Sequence, residues 1–518
     1  MAAKDEKAGF LALSRFGFGP RGDGDLDAAS LDPRGFLRAE IEQPGAALLA
    51  GPGLPDSNAA LQILFAQQDA EKAAREAKAA LAAASAMPAP AAPPAPPPAA
   101  LPASSPEIIV LARQTPMVQT VAAPPPAPPQ PPPSQPEASM APQPPRPPSA
   151  QQVIFRAEAL ARFKRAFAAR AGIVERLVAF WSNHFAVSMA KGGPTSVGAG
   201  AFEREAIRPY VLGRFSDMLL AVESHPAMLF YLDAQQSVGP DSPLGLKQNR
   251  GRNENLGREI LELHTLGVNG GYSQGDVVAL SNMLTGWRFA GRDAKLGPPG
   301  AFAFQANAHE PGGQKLLGAD FPQGAADQAQ GALRDLARRP ETARHLAFKL
   351  AKHFVADAPP PALVETLAQV YLKTDGDLRA VTLALIDAPE SFAAPATKIR
   401  DPWEFVVASA RLLGKAPDEP GPVISALDML GQPLWRPPGP NGYPDDVMAW
   451  ASPDGMKLRL DLASQWSIRL RDAPDPRELL ESAFGAAASA ETRQAVSRAE
   501  TRPQGLALLL MAPEAQRR

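Results

Sequence analysis

The stretch VIFRAEALARFKRAFAARAGIVERLVAFWSNHFAVS, residues 153–188, decides how this chain folds. It divides into two amphipathic runs, 153–171 and 173–188. In the second, Val174, Leu177, Phe180 and Trp181 recur at three- and four-residue spacing, which predicts one buried helical face. Toward the C-terminus the same pattern predicts helices over 203–213, 215–222, 254–266, 274–285, 328–337, 341–355, 361–373, 377–387, 402–413, 456–471 and 476–484. Local punctuation agrees with these bounds. Gly267 stands where a residue just past a helix end belongs, Asp377 suits an N-cap, and Ser273 with Asp276 reads as a capping box. Strand-like alternation is scarce, with Phe302-Ala-Phe-Gln the best candidate, and no repeat of constant period is present. The expected fold class is all-α, a multi-helix globular array.

Toward the N-terminus, residues 59–86 hold strong helix formers with no proline or glycine and predict a long, partly exposed helix. The tract after it differs in character. Between Pro88 and Pro148 lie 24 of the 58 prolines, and such a segment lacks the apolar side chains that would offset its ordering entropy. It is expected to be a disordered proline/alanine-rich insertion, a spacer rather than a dedicated ligand for a proline-binding domain. The expected organisation is therefore an N-terminal helical part of the core over 1–86, the insertion over 87–150 and the main helical core over 151–518.

Composition narrows the function classes. The 518 residues are 45% hydrophobic and 20% charged, with net charge −2. No basic surplus is available to neutralise phosphates, so a nucleic-acid role is not expected. Without cysteine there is no disulfide, thiolate metal site or cysteine nucleophile. The apolar runs are too short to span a bilayer. The N-terminus lacks an apolar segment with a cleavage site, so the expected compartment is the cytoplasm.

The densest polar segment is Asn253 to Gly267. On a helix Asn255, Arg258, Glu259 and Glu262 share one stripe, able to perform acid–base work or to hold a divalent cation; these four are the candidate catalytic residues. The same residues also read as a solvated face, in which Glu254, Arg258 and Glu262 form an ion-pair ladder. Leu256, Ile260 and Leu263 make a separate apolar arc with His264 at its edge, and His184 continues the series Leu177, Phe180, Trp181; both histidines are expected to be buried. His345 and His353 lie on roughly one side of a helix, and His225 precedes Pro226 at a helix start. The segment His309 to Lys315 reads as a glycine-containing loop, either a ligand loop or a plain turn. The candidate metal ligands are His264, Glu259, Glu262, His184 and His309, which suit zinc, manganese or iron. Asp23-Gly-Asp25-Leu-Asp27 is not a calcium loop, because Arg34 occupies the position that requires a bidentate glutamate. No phosphate-binding loop, dinucleotide fingerprint or nucleophile elbow is present.

The strings FGFGP (16–20), ERLVAFWSNHF (175–185), REAIRPYVLGRFSDMLLAVESHPAMLFYLD (204–233), NENLGREILELHTLGVNGGYSQGDVVALSNMLTGW (253–287), HEPGGQKLLG (309–318), ARHLAFKLAKHFVAD (343–357) and PPGPNGYPDD (437–446) resemble a bacterial family catalogued as domain of unknown function 1800. The resemblance spans nearly the whole chain except the insertion and contains all six histidines. It implies a large helical protein with no assigned activity, substrate or cofactor. It also implies a partner, a co-encoded sulfatase/phosphatase-like protein, and with it a periplasmic location by co-export as the alternative to the cytoplasm. The expected function is that of an accessory protein acting with this partner. The alternative is a metal-dependent enzyme with a site built on 253–287.

Overall fold

In the computed structural model, which describes residues 4–85, 148–470 and 472–518, helices dominate and strands are short. The expected proline-rich insertion lies almost wholly outside the described residues. The chain divides into a unit of residues 1–69 with 149–518 and a unit of residues 70–148. The helix Ser57–Ser85 matches the predicted 59–86 run closely. Among the described residues no helix is long and apolar enough to cross a membrane.

In the larger unit, α1 (Ala150–Ala168) opens with a capping box in which Ser149 and Gln152 satisfy each other's backbone amides. The next helix, α2 (Ile173–His184), is buried along almost its whole length. Its polar members are compatible with burial because each is paired: Arg208 holds Glu175 through two bonds of 2.9 Å, and Arg176 meets Glu404 at 2.9 Å. The predicted helix ran to residue 188, but the backbone leaves helical geometry at Phe185. The predicted helix over 203–213 is also broken. A wide π-turn over Glu203–Ile207 gives way to a tight turn over Arg208–Tyr210, where Pro209 has no amide to donate.

Helix α3 (Phe215–Glu223) begins and ends as expected within a residue. The predicted 254–266 helix is two objects: α4 (Asn255–Glu259) and a π-turn over Ile260–His264. Gly267 has φ +86, as its position past the helix requires, and α5 (Gln274–Leu284) starts with the predicted Ser273–Asp276 capping box. The strand candidate is real: β1 (Trp287–Phe289) pairs antiparallel with β2 (Phe302–Phe304), Trp287 opposite Phe304. A second ribbon, β3 (Gln314–Leu316) with β4 (Ala319–Phe321), was not predicted. Its turn, Leu317-Gly318, has φ +48 and +83, the doubly left-handed geometry of a two-residue hairpin, and leucine at its first position conceals it.

Helices α6 (Pro340–Phe354) and α7 (Pro402–Leu412) complete the frame of the site, the latter N-capped by Asp401. Helices over Gly421–Met429, Ala490–Ser497 and Arg502–Met511 were not predicted. The main core gathers Trp181, Phe185, Phe215, Leu280, Leu350 and Tyr371. A second core, around Phe163, Trp403, Phe405 and Leu427, lies beside it. Elements of both wall a single cleft.

Candidate functional site

The C-terminal turn of α2, the middle of α6 and the loop 432–445 enclose a cleft of about 460 Å³, within the size range of small-molecule sites. Phe180, Asn183 and His184 come from α2, and His345, Phe348, Lys349, Lys352 and His353 from α6. On α6 these side chains recur every three or four residues, so helical geometry alone puts them on one face. The loop adds Trp435, Asn441, Tyr443 and Asp445.

The loop is fixed rather than draped. Asn183 donates from Nδ2 to the Tyr443 carbonyl at 2.9 Å, and its Oδ1 accepts from the Tyr443 amide at 2.7 Å. Gly442 has φ +75, and a Cβ there would meet the Asn183 carbonyl oxygen at 2.4 Å, so only glycine lets the loop approach α2 this closely. Trp435 has φ +52. A bulky side chain in the left-handed region costs on the order of 1–3 kcal/mol and persists only where surroundings hold it. The Met189 amide bonds to its carbonyl at 2.9 Å, and Arg162, itself bonded to Glu203 at 2.7 Å, lies over the rings of Trp403 and Trp435.

A chain of polar groups runs from the core to the cleft. Glu223 and His264 are fully buried, with Glu223 Oε1 2.8 Å from His264 Nδ1. The carbonyl of His264 lies 3.1 Å from His184 Nε2, and His184 Nδ1 lies 2.8 Å from the Lys349 ammonium. A carbonyl can only accept, so Nε2 of His184 carries the proton and Nδ1 presents a lone pair. Burial, with Lys349 nearby, pushes His184 well below the ordinary imidazole value, and likewise pushes His345 down to about 4. Burial takes His353 down to about 4 against the opposing pull of Asp445. All three rings are neutral at pH 7.

Lys349 is the unusual charge in this wall. Burial pushes its amine down to about 8, with Asp445 opposing and Lys352 lowering it further. Among the described residues it forms no ion pair; its hydrogen bond is to His184. The other charges are matched. Lys352 meets Asp446 at 2.6 Å, and Asp445 is shared by His353 at 3.1 Å and Lys398 at 3.5 Å. Asp401, pushed up to about 6 by burial and by Glu404, caps α7.

Of the predicted site residues, His184 lines the cleft and His264 stands directly behind it, their ring centroids 6.1 Å apart. His345 and His353 also reach the cleft. The stripe of Asn255, Arg258, Glu259 and Glu262 does not. The π-turn inserts one residue after Glu259 and rotates the residues beyond it, so Leu261 and His264 become fully buried while Leu263 is half-buried. Arg258 keeps Glu254 at 3.5 Å and bonds Gln274 at 2.9 Å, whereas Glu262 leaves the ladder and faces Tyr272. Glu259 is raised, first by burial. His309 is held elsewhere, 2.9 Å from the Thr285 carbonyl and against Phe304. His264, Glu259, Glu262, His184 and His309 are thus not all brought together, and among the described residues no group of three or more His, Asp or Glu side chains is arranged to hold a metal ion. Both nitrogens of His184 are already engaged.

Lys349, Lys352, Asp445, Tyr443, Trp435 and Glu223 escaped the sequence reading. A signal existed: ERLVAFWSNHF, ARHLAFKLAKHFVAD and PPGPNGYPDD, three of the strings that carry the family resemblance, all contribute to this cleft. In comparisons with known proteins, a family model described as "Protein of unknown function (DUF1800)" matches residues 11–517. No curated protein and no solved structure matches the chain.

Proposed function

The chain belongs to this DUF1800 family, and from that premise we propose that it binds a small organic anion in the cleft between α2, α6 and the loop 432–445. The observation that carries this reading is Lys349, a half-buried ammonium in a cleft of ligand size with, among the described residues, no carboxylate within ion-pair distance. Taking a cation out of water is costly unless it is paired. A ligand carboxylate or phosphate supplies the missing charge, and the neutral histidines leave it without competition. Phe180, Trp435 and Tyr443 offer apolar surface to the remainder of the ligand.

Calorimetric titration with small carboxylates, succinate and pyruvate serving as probes, tests this. Lys349→Met is expected to weaken binding by about tenfold or more, the worth of one charge-assisted hydrogen bond. Lys349→Arg keeps the charge and is expected to retain most of the affinity. Unchanged affinity in Lys349→Met would remove the reading. Partnership with a sulfatase/phosphatase-like protein is a separate proposal that rests on the family resemblance and on no contact in the fold. Failure of the two purified proteins to associate would end it. Metal dependence of the 253–287 segment is likewise a proposal, and elemental analysis of untagged protein decides it.

A further inference from the structure

We propose that the anion recognised in the cleft carries an aldehyde or ketone carbonyl, as an α-oxo acid does, and that Lys349 Nζ condenses with that carbonyl to form an imine. This inference rests on the anion reading and specifies the ligand's chemistry. It comes from the different ways in which the two cleft lysines are held. Lys352 is bonded to the carboxylate of Asp446 at 2.6 Å. Among the described residues Lys349 has no carboxylate within ion-pair distance. Its neighbour at 2.8 Å is the His184 nitrogen that carries a lone pair, because the other nitrogen is committed to the His264 carbonyl. Burial of the amine favours its neutral form, and the Nδ1 lone pair of His184 accepts from it at 2.8 Å and so orients the nitrogen. Lysine amines in partly desolvated pockets are the usual nucleophiles toward carbonyl carbons. Lys352 stands one turn further along the same helix face and lines the same cleft.

The step balances without an oxidant or reductant. The Nζ lone pair attacks the carbonyl carbon and the C=O π pair moves to oxygen. A proton passes from nitrogen to that oxygen, giving a carbinolamine. The nitrogen lone pair forms the C=N bond as the hydroxyl leaves as hydroxide, and the remaining N–H proton passes to that hydroxide, giving water and the neutral imine. The sum is one amine and one carbonyl converted to one imine and one water.

The full-length protein is incubated with pyruvate and then reduced with sodium borohydride, and the product is read by intact mass and peptide mapping. One reduced adduct per chain at Lys349 is expected, forming faster as the pH rises through the titration of that amine. Lys349→Arg is expected to bind pyruvate yet yield no adduct. Lys349→Met serves as a second adduct-free variant should the arginine variant fail to fold, with melting temperature as the check. Pyruvate binding without an adduct, or adducts scattered over surface lysines, overturns the imine and leaves the anion reading standing. Absence of both binding and adduct overturns the two together.

Discussion

Lys349 and Lys352 occupy the same face of one helix, and what distinguishes them is a single partner. The ammonium of Lys352 is paired with Asp446, whereas among the described residues Lys349 is hydrogen-bonded to a neutral imidazole and to no carboxylate. In the sequence neither could be told from a solvated lysine, because periodicity places a residue on a face without saying what covers it. The histidines were more legible: the apolar series through Leu177, Phe180 and Trp181 indicated a buried His184, which is 2% exposed. Glu223 carried no signal, since its partner His264 lies 41 residues away. The pair makes a prediction. Glu223→Ala leaves His264 buried without its partner and is expected to cost about 2–4 kcal/mol of stability. Glu223→Gln, which keeps an acceptor for Nδ1–H, is expected to cost less; urea unfolding distinguishes the two.

Helices were the legible elements, because their apolar period extends over many residues and their caps use recognisable chemistry. What periodicity could not show is where a helix changes its pitch. The π-turn at Ile260–His264 needs no special residue, yet it moves Glu262 out of the Arg258 ladder and swings His264 behind the cleft. The elements also meet through glycines whose role appears only in three dimensions. A Cβ on Gly257 of α4 would lie 2.4 Å from the Ser281 hydroxyl on α5. Gly257→Val is therefore expected to lose about 1–3 kcal/mol by overpacking, and Ser281→Gly in the same chain is expected to restore part of it. At the loop, Gly442→Ala opposes both a positive φ and the Asn183 carbonyl. It is expected to weaken probe binding more than a Gly→Ala change at exposed Gly414, whose Cβ would meet nothing.

For the whole molecule, the neutral histidines set a pH dependence. His345 and His353 titrate at about 4 in the fold against an ordinary 6.5, so between those values the unfolded chain binds the extra protons. Stability is fully present above pH 6.5 and is lost as pH falls toward 4. Asp401, raised to about 6, acts in the opposite sense and offsets part of this. A net fall in the urea midpoint across that window is expected, and a flat profile would show that the rings are not held neutral. The overall class was read from the sequence because the pattern that buries a helix face is local. The cleft joins α2, α6 and a loop whose residues are up to about 260 positions apart, and no local pattern encodes that convergence. The most direct test of the cleft's chemistry is trace labelling of Lys349 with acetic anhydride across pH, with and without a small carboxylate probe. The predicted result is a reactivity midpoint near 8 in the free protein and protection of Lys349, above other lysines, when the probe is bound. A midpoint at the ordinary lysine value of 10.5, with no protection, would contradict it.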